Sequence, residues 1–181
     1  DYLYWFCVRY NFEQHNKTVT IPKGDILLKQ GDIAKYGYFV KSGCLKSYTI
    51  DHLGKEHIMQ FAPETWMITD LDSFSNQVPS LVYIEAIEAS EVSIISNADI
   101  KDINQFEKAD LVEMNTKFRN NLIATNKRII GLLSATAEQR YTNFTDTYPS
   151  LVQRLPLKLI ASYIGVTPEY LSDIRRKIAK N

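Results

Sequence analysis

Leu155 to Asn181 reads LPLKLIASYIGVTPEYLSDIRRKIAKN, and this stretch decides the fold of the C-terminal part of the chain. Leu157, Ile160, Ala161 and Ile164 recur at helical spacing and form one apolar stripe. Gly165 follows, and glycine enters the left-handed region that ends a helix at little steric cost. Val166 is expected to tuck inward. Thr167 is suited to N-cap a second helix, and Pro168 then falls at N1, where its missing N–H is harmless. Leu171, Ile174 and Ile178 make the buried stripe of that helix, and Glu169, Ser172, Asp173, Arg176 and Lys180 make its polar face. Two helices joined by a tight glycine turn, the second polar on one face, describe a helix-turn-helix whose second helix enters the DNA major groove.

The alternative is an ordinary helical hairpin, and charge separates the two. Residues 151–181 hold Arg154, Lys158, Arg175, Arg176, Lys177 and Lys180 against Glu169 and Asp173, a net charge of +4. The whole chain balances 21 basic against 21 acidic residues, so residues 1–150 carry net −4. A basic segment on a neutral protein is the electrostatic footprint of nucleic-acid contact. Helical spacing assigns Glu169, Ser172, Asp173 and Arg176 to base reading. Lys158, Arg175, Lys177 and Lys180 fall to phosphate contact, with Thr167 beside the backbone.

With 181 residues, 45% of them hydrophobic and 23% charged, the chain has the composition of a soluble globular protein of one or two small domains. No apolar run is long enough to span a bilayer, and no signal-peptide pattern is seen at the start. The first residue is Asp1 rather than Met, which leaves the N-terminus open. Cys7 and Cys44 are too few and too far apart for a disulfide framework, a zinc site or an iron–sulfur cluster, and a reducing cytoplasmic setting is expected.

Residues 1–15 are aromatic-rich and expected to be partly helical. From Thr18 to about Asn97, turn signals such as Pro22–Asp25, Gln30-Gly31-Asp32, Ser42-Gly43 and Asp51–Gly54 separate short β-rich runs. Regular short strands with such turns predict a small sandwich or barrel. From Asp99 to Arg140 proline is absent, and Leu111, Met114, Phe118, Leu122, Ile129 and Leu132 step by threes and fours, with Thr125 bridging the gap after Leu122. This heptad-like seam predicts a long helix that pairs with another helix; the alternative is packing against the chain's own sheet, and both can hold on different faces. Ala137 to Tyr141 leads into a further short helix. The resulting division is 1–106, 107–138 and 139–181, with an α+β fold.

This order of elements resembles the Crp-Fnr family of bacterial transcription regulators, and the resemblance covers nearly the whole chain. Gly24-Asp25, Gln30-Gly31-Asp32, Tyr38-Phe39-Val40 and Ser42-Gly43 look like the family's glycine-marked entry into the cyclic-nucleotide-binding fold, and Gly54-Lys55-Glu56 like its hairpin turn. Ile160 to Ser172 looks like its DNA-binding motif. The resemblance implies a jelly-roll β-roll that senses a signal (residues 1–106) and a long dimerisation helix (107–138). It also implies a winged-helix-like helix-turn-helix domain (139–181). The partners it implies are pseudo-palindromic double-stranded DNA and a second copy of the chain, with RNA polymerase a further candidate. It also implies that Asp173 stands where the family often carries a base-reading arginine.

The ligand site departs from the family. Members that bind cyclic AMP carry a Gly-Glu pair for the ribose and, about ten residues later, an arginine for the cyclic phosphate. Here Thr69 stands for the glycine, Asp70 for the glutamate and Ser80 for the arginine, with Leu81 following. No Lys or Arg occurs from Glu56 to Ile100, while eight acidic residues do. A cyclic phosphate needs a charged donor or concentrated backbone amides, and an acidic surround repels it. Arg119 and Arg128 on the long helix are the remaining candidates to reach in. The site reads as degenerate, its effector unknown.

Two other classes compete. A ligand-binding β-roll that docks a protein partner has no need of a basic helix-turn-helix. A cupin-like enzyme would use His52, Glu56 and His57 around a metal, but these flank the Gly54 hairpin and read as solvent-exposed turn residues. No nucleophile–base set is visible, so neither catalysis nor a resident metal or cofactor is expected.

Overall fold

Thr18 begins a run of short strands that close into two four-stranded antiparallel sheets. The computed structural model describes residues 17–97 and 108–179, so the aromatic segment 1–15 and Lys180 lie outside the described residues. The strands are β1 (Thr18–Ile21), β2 (Ile26–Leu28), β3 (Tyr36–Ser42), β4 (Leu45–Ile50), β5 (Glu56–Ala62), β6 (Met67–Ile68), β7 (Tyr83–Ala86) and β8 (Ser90–Ser96). One sheet runs in the order β1-β8-β3-β6 and the other β2-β7-β4-β5, so successive strands switch sheets, as in a jelly roll, except for the β4–β5 hairpin. Tyr38, Val40, Leu45, Ile68, Ile84 and Val92 fill the space between the sheets. The turns form where the sequence supplies glycine. At Gly43 (φ +89°) a Cβ would lie 2.6 Å from the Ala89 carbonyl oxygen, so both conformation and space demand glycine.

A short helix that the periodicity did not suggest, α1 (Leu71–Asn76), interrupts the strands. Asp70 is its N-cap, accepting from the Ser73 N–H at 3.2 Å. Asp-x-x-Ser before a single turn is a capping pattern, but six residues are too few to show helical period.

The helical part comprises α2 (Lys108–Ser134), α3 (Ala137–Thr147), a 3₁₀ turn (Pro149–Leu151), α4 (Leu157–Ile164) and α5 (Pro168–Ile178). Thr136 ends the break after α2 with a capping box: its hydroxyl accepts from the Gln139 N–H, and the Gln139 side chain accepts from the Thr136 N–H. The chain divides into two compact units, Asp1–Leu111 and Val112–Asn181. Most of α2 therefore belongs to the unit that carries the helix-turn-helix. The core of that unit is Phe144, Leu151, Ile160, Ile164, Leu171 and Ile174, all buried. Two details of the expected stripes change. Leu159 is buried while Leu157 is only partly so, because Leu155 and Leu159 face the same interior; and Ile178, in the last turn of α5, is exposed. The described residues beyond 111 are helical or turn and contain no strand.

Candidate nucleic-acid interface and effector site

The turn between α4 and α5 forms as its residues dictate. Gly165 is left-handed (φ 72°, ψ 42°) and its N–H caps α4. The Thr167 hydroxyl accepts from the Tyr170 N–H at 3.3 Å, and Pro168 is at N1. Leu171 and Ile174 point into the core, which turns the opposite face of α5 to solvent. Glu169, Asp173, Arg176 and Arg175 are exposed there, as are Thr167 before the helix and Lys158 on α4.

Besides Thr167, four of the expected contact residues carry intramolecular bonds. Arg176 Nη1 lies 3.0 Å from Asp173 Oδ1, an i,i+3 ion pair with both side chains well exposed. Lys177 Nζ lies 2.6 Å from Glu138 Oε1 on α3, and this hydrogen bond, reinforced by the carboxylate charge, raises the Lys177 pKa. Ser172 is half-buried and donates its hydroxyl proton to the Pro168 carbonyl at 3.1 Å, leaving its lone pairs as its means of reading a base.

In the β-roll the structure brings Asp70, Ser80 and Leu81 together. Asp70 Oδ2 accepts from the Ser80 hydroxyl at 2.8 Å and from the Leu81 N–H at 3.0 Å, while Oδ1 holds the Ser73 N–H. Ser80 is buried, at 2% exposure, and its oxygen also accepts from the Val82 N–H. Thr69 goes elsewhere, donating to the Tyr36 carbonyl at 3.1 Å. The Leu81 amide and the Ser80 hydroxyl are thus occupied by a carboxylate of the same chain. Arg128 serves a different purpose from the one considered for it: it donates to the Tyr163 carbonyl within the helical unit. Arg119 is exposed on α2.

The residues considered for a metal site pair separately. His57 Nε2 lies 2.7 Å from Asp51 Oδ2, Glu56 Oε2 lies 3.0 Å from Lys46 Nζ, and His52 is an exposed turn residue. Among the described residues no three His, Cys, Asp or Glu side chains converge on a metal position. Lys46 escaped the sequence reading altogether. It is 5% exposed, reaches Glu85 at 3.2 Å as well, and lies 4.2 Å from the Tyr48 ring centroid. Its single signal was a lysine at the second position of a strand, which reads as an outward residue.

On α2, Leu122, Ile129 and Leu132 are exposed and Leu111 is half-buried; the side chains of Met114 and Phe118 lie outside the described set. Ile123, Ile130 and Leu133 are exposed as well, Leu133 at 82% against 42% for Leu132. These three were missed because the expected seam stopped at one residue per turn. No described helix is long and apolar enough to cross a membrane.

Comparison with known proteins agrees with this architecture. The model of the cyclic nucleotide-binding domain matches residues 18–105. The anaerobic regulatory protein of Aggregatibacter actinomycetemcomitans is 27% identical over 196 residues, covering 96% of this chain and 75% of that protein. The fumarate and nitrate reduction regulatory protein of Yersinia pestis is 30% identical over 174 residues, covering 89% of this chain and 68% of that protein. FixK2 of Bradyrhizobium japonicum shares the fold, with a TM-score of 0.75 at 16% identity over 91% of this chain and 85% of that one. The chain belongs to the Crp-Fnr family of transcription regulators.

Proposed function

We propose that this regulator binds pseudo-palindromic DNA as a homodimer, reads bases with the exposed face of α5, and does not use cyclic AMP as its effector. The observation that carries the reading is the pairing of a glycine-turned helix-turn-helix with a solvent-facing second helix in a segment of net charge +4. Arg176 pairs with guanine, Glu169 and Asp173 accept from cytosine amino groups, and Lys158 and Arg175 contact phosphates. Lys177 reaches a phosphate by exchanging Glu138 for it. Half-sites lie about one helical turn, roughly 34 Å, apart.

The dimer forms along α2 on the arc that faces away from the helix-turn-helix. Leu122, Asn126, Ile129 and Leu133 follow the four-three-four spacing of a two-stranded coiled coil, flanked by Ile123 and Ile130. Leu133 therefore takes the seam position first given to Leu132, and Asn126 is the polar residue that fixes register.

The β-roll fails as a cyclic-phosphate site because Asp70 already holds the Leu81 amide and the Ser80 hydroxyl. An incoming phosphate would displace that carboxylate and meet its charge, with no arginine in exchange. Selection of bound duplexes from a random DNA pool, followed by a salt titration, tests the proposal. A two-fold related sequence whose affinity falls steeply with salt is expected. Recovery of no sequence, or salt-independent binding, refutes it. Calorimetry with cyclic AMP and cyclic GMP should register no micromolar binding.

A further inference from the structure

Two arginines from outside the helix-turn-helix converge on the carboxyl end of its first helix. Arg140, on α3, donates through Nε to the Ile164 carbonyl at 2.7 Å and through Nη1 to the Ala135 carbonyl at 2.8 Å. Arg128, on α2, donates through Nη2 to the Tyr163 carbonyl at 3.0 Å. The last carbonyls of a helix lack intrahelical partners and form the negative end of its dipole, so guanidinium groups suit this place.

Arg128 does more than cap. Its guanidinium lies 4.1 Å from the centroid of the Tyr163 ring, so one planar group stacks on the side chain and bonds the backbone of the same residue. Lysine, a point charge on a flexible stem, cannot do both. The ring beneath it is itself fixed. Tyr163 packs on Phe144 of α3 at 5.5 Å and edge-on to Tyr148, the C-cap of α3, at 5.7 Å. Burial lowers the pKa of Arg128, while the phenols of Tyr163 and Tyr148 act in the opposite direction. One turn along the same face of α2, Leu132 Cδ2 would lie 3.4 Å from a Cβ placed on Gly165. The reading motif is thus seated on the long helix at its turn and at the end of α4, across a covalent joint of only Ala135 and Thr136 between α2 and α3.

We propose that Arg128 is a positioning residue for DNA recognition: by stacking on Tyr163 and bonding its carbonyl, it fixes the angle between the long helix and the helix-turn-helix, and so sets the half-site spacing that the dimer accepts. The proposal rests on the dimeric DNA-binding reading above. In such a dimer the two reading helices are joined through the two copies of α2. One base-pair step is about 3.4 Å along the duplex. A loosened seat lets each reading helix drift by such a step, and the spacing rule blurs although each half-site contact survives.

The experiment uses duplexes recovered from the random pool, rebuilt with their half-sites moved together or apart by single base pairs. Wild type, Arg128→Met, Arg128→Lys and Tyr163→Leu are compared on these duplexes and on an isolated half-site, with thermal unfolding of each. Wild type is expected to prefer one spacing by about tenfold or more over its neighbours, since linked sites lose avidity when geometry forbids joint engagement. Arg128→Met and Tyr163→Leu should cut that preference to about threefold or less, with half-site affinity within about twofold of wild type. Arg128→Lys should behave like Arg128→Met, because charge alone does not restore the stack. Should Arg128→Met fail to fold, Tyr163→Leu and Arg128→Lys decide. An unchanged preference, or an equal loss at every spacing and on the half-site, overturns the positioning role. A wild type without any spacing optimum overturns the dimeric reading, and the positioning role with it, which separates the two failures.

Discussion

The two units of this regulator satisfy orphan backbone groups with opposite charges. In the β-roll, carboxylates hold N–H groups. Asp70 takes those of Ser73 and Leu81, Asp51 takes those of Leu53 and Lys55, and Glu64 takes that of Gly43. In the helical unit, guanidinium groups hold carbonyls, as Arg128 and Arg140 do at Tyr163, Ile164 and Ala135. The difference bears on function. Where its own carboxylates hold these turn amides, the β-roll does not offer them to an anionic effector. In the helical unit the arginines tie the end of α4 to α2 and α3 and add positive charge, which suits an anionic polymer.

The largest break in this contrast should come from the seam, because the proposed dimer joins the helical units. Replacing Leu122 and Leu133 together with glutamate places unpaired charge in the proposed interface. Sedimentation should show a monomer, and operator affinity should fall by about a hundredfold or more as avidity is lost. A dimer that survives both substitutions would move the interface elsewhere.

Removing the β-roll carboxylate comes next. Asp70→Ala strips the N-cap of α1, takes the acceptor from the Leu81 amide, and leaves the buried Ser80 hydroxyl only the Val82 carbonyl at 2.9 Å. The cost should be about 1–3 kcal/mol. For a chain of this size that lowers the melting temperature by about 2–12 °C. A melting temperature unchanged from wild type would show that the carboxylate is not what fills this site.

On α5 the effects are confined to single base pairs. Glu169→Ala should relax preference at one position, losing roughly 1–3 kcal/mol of discrimination. Asp173→Arg removes the ion-pair partner of Arg176 and adds a cation, so overall affinity should rise and preference shift towards guanine at the matching position. A binding profile untouched by both would hand the lead to a protein-docking role.

Local features of this fold were legible and distant pairings were not. Gly165, Thr167 and Pro168 announce their turn because capping depends on residues within one helical turn. The short strands were legible for the same reason, from turn signals between β-rich runs. Arg128 meets Tyr163 across 35 positions, and no spacing rule reaches that far. Asp70, Ser80 and Leu81 were named as one site by resemblance alone, and their mutual hydrogen bonds needed coordinates. Ile123, Ile130 and Leu133 show a different limit. Apolar residues on adjacent columns of one helix satisfy more than one heptad register, and the choice depends on which face is already covered.

The smallest effect is expected where a carboxylate of the β-roll lies at the surface. Asp51 turns the β4–β5 hairpin, with Oδ1 accepting from the Leu53 and Lys55 amides and Oδ2 facing His57 Nε2 at 2.7 Å. The His57 hydrogen bond, then that from the Lys55 amide, holds its pKa down at about 2, below the ordinary 3.8. Folding therefore favours the ionised form. The stabilisation is fully present above the ordinary value and is lost as pH falls from there through about 2. Asp51→Asn should approach the wild-type melting temperature only as pH falls to about 2 and below. It should lie slightly under wild type at neutral pH, so the acid limb of the curve becomes shallower. Because the hairpin is solvated, the gap should shrink in high salt. Parallel acid limbs for the two proteins would mean that the unfolded chain holds Asp51 as ionised as the folded one, and that the hairpin gains nothing from its carboxylate.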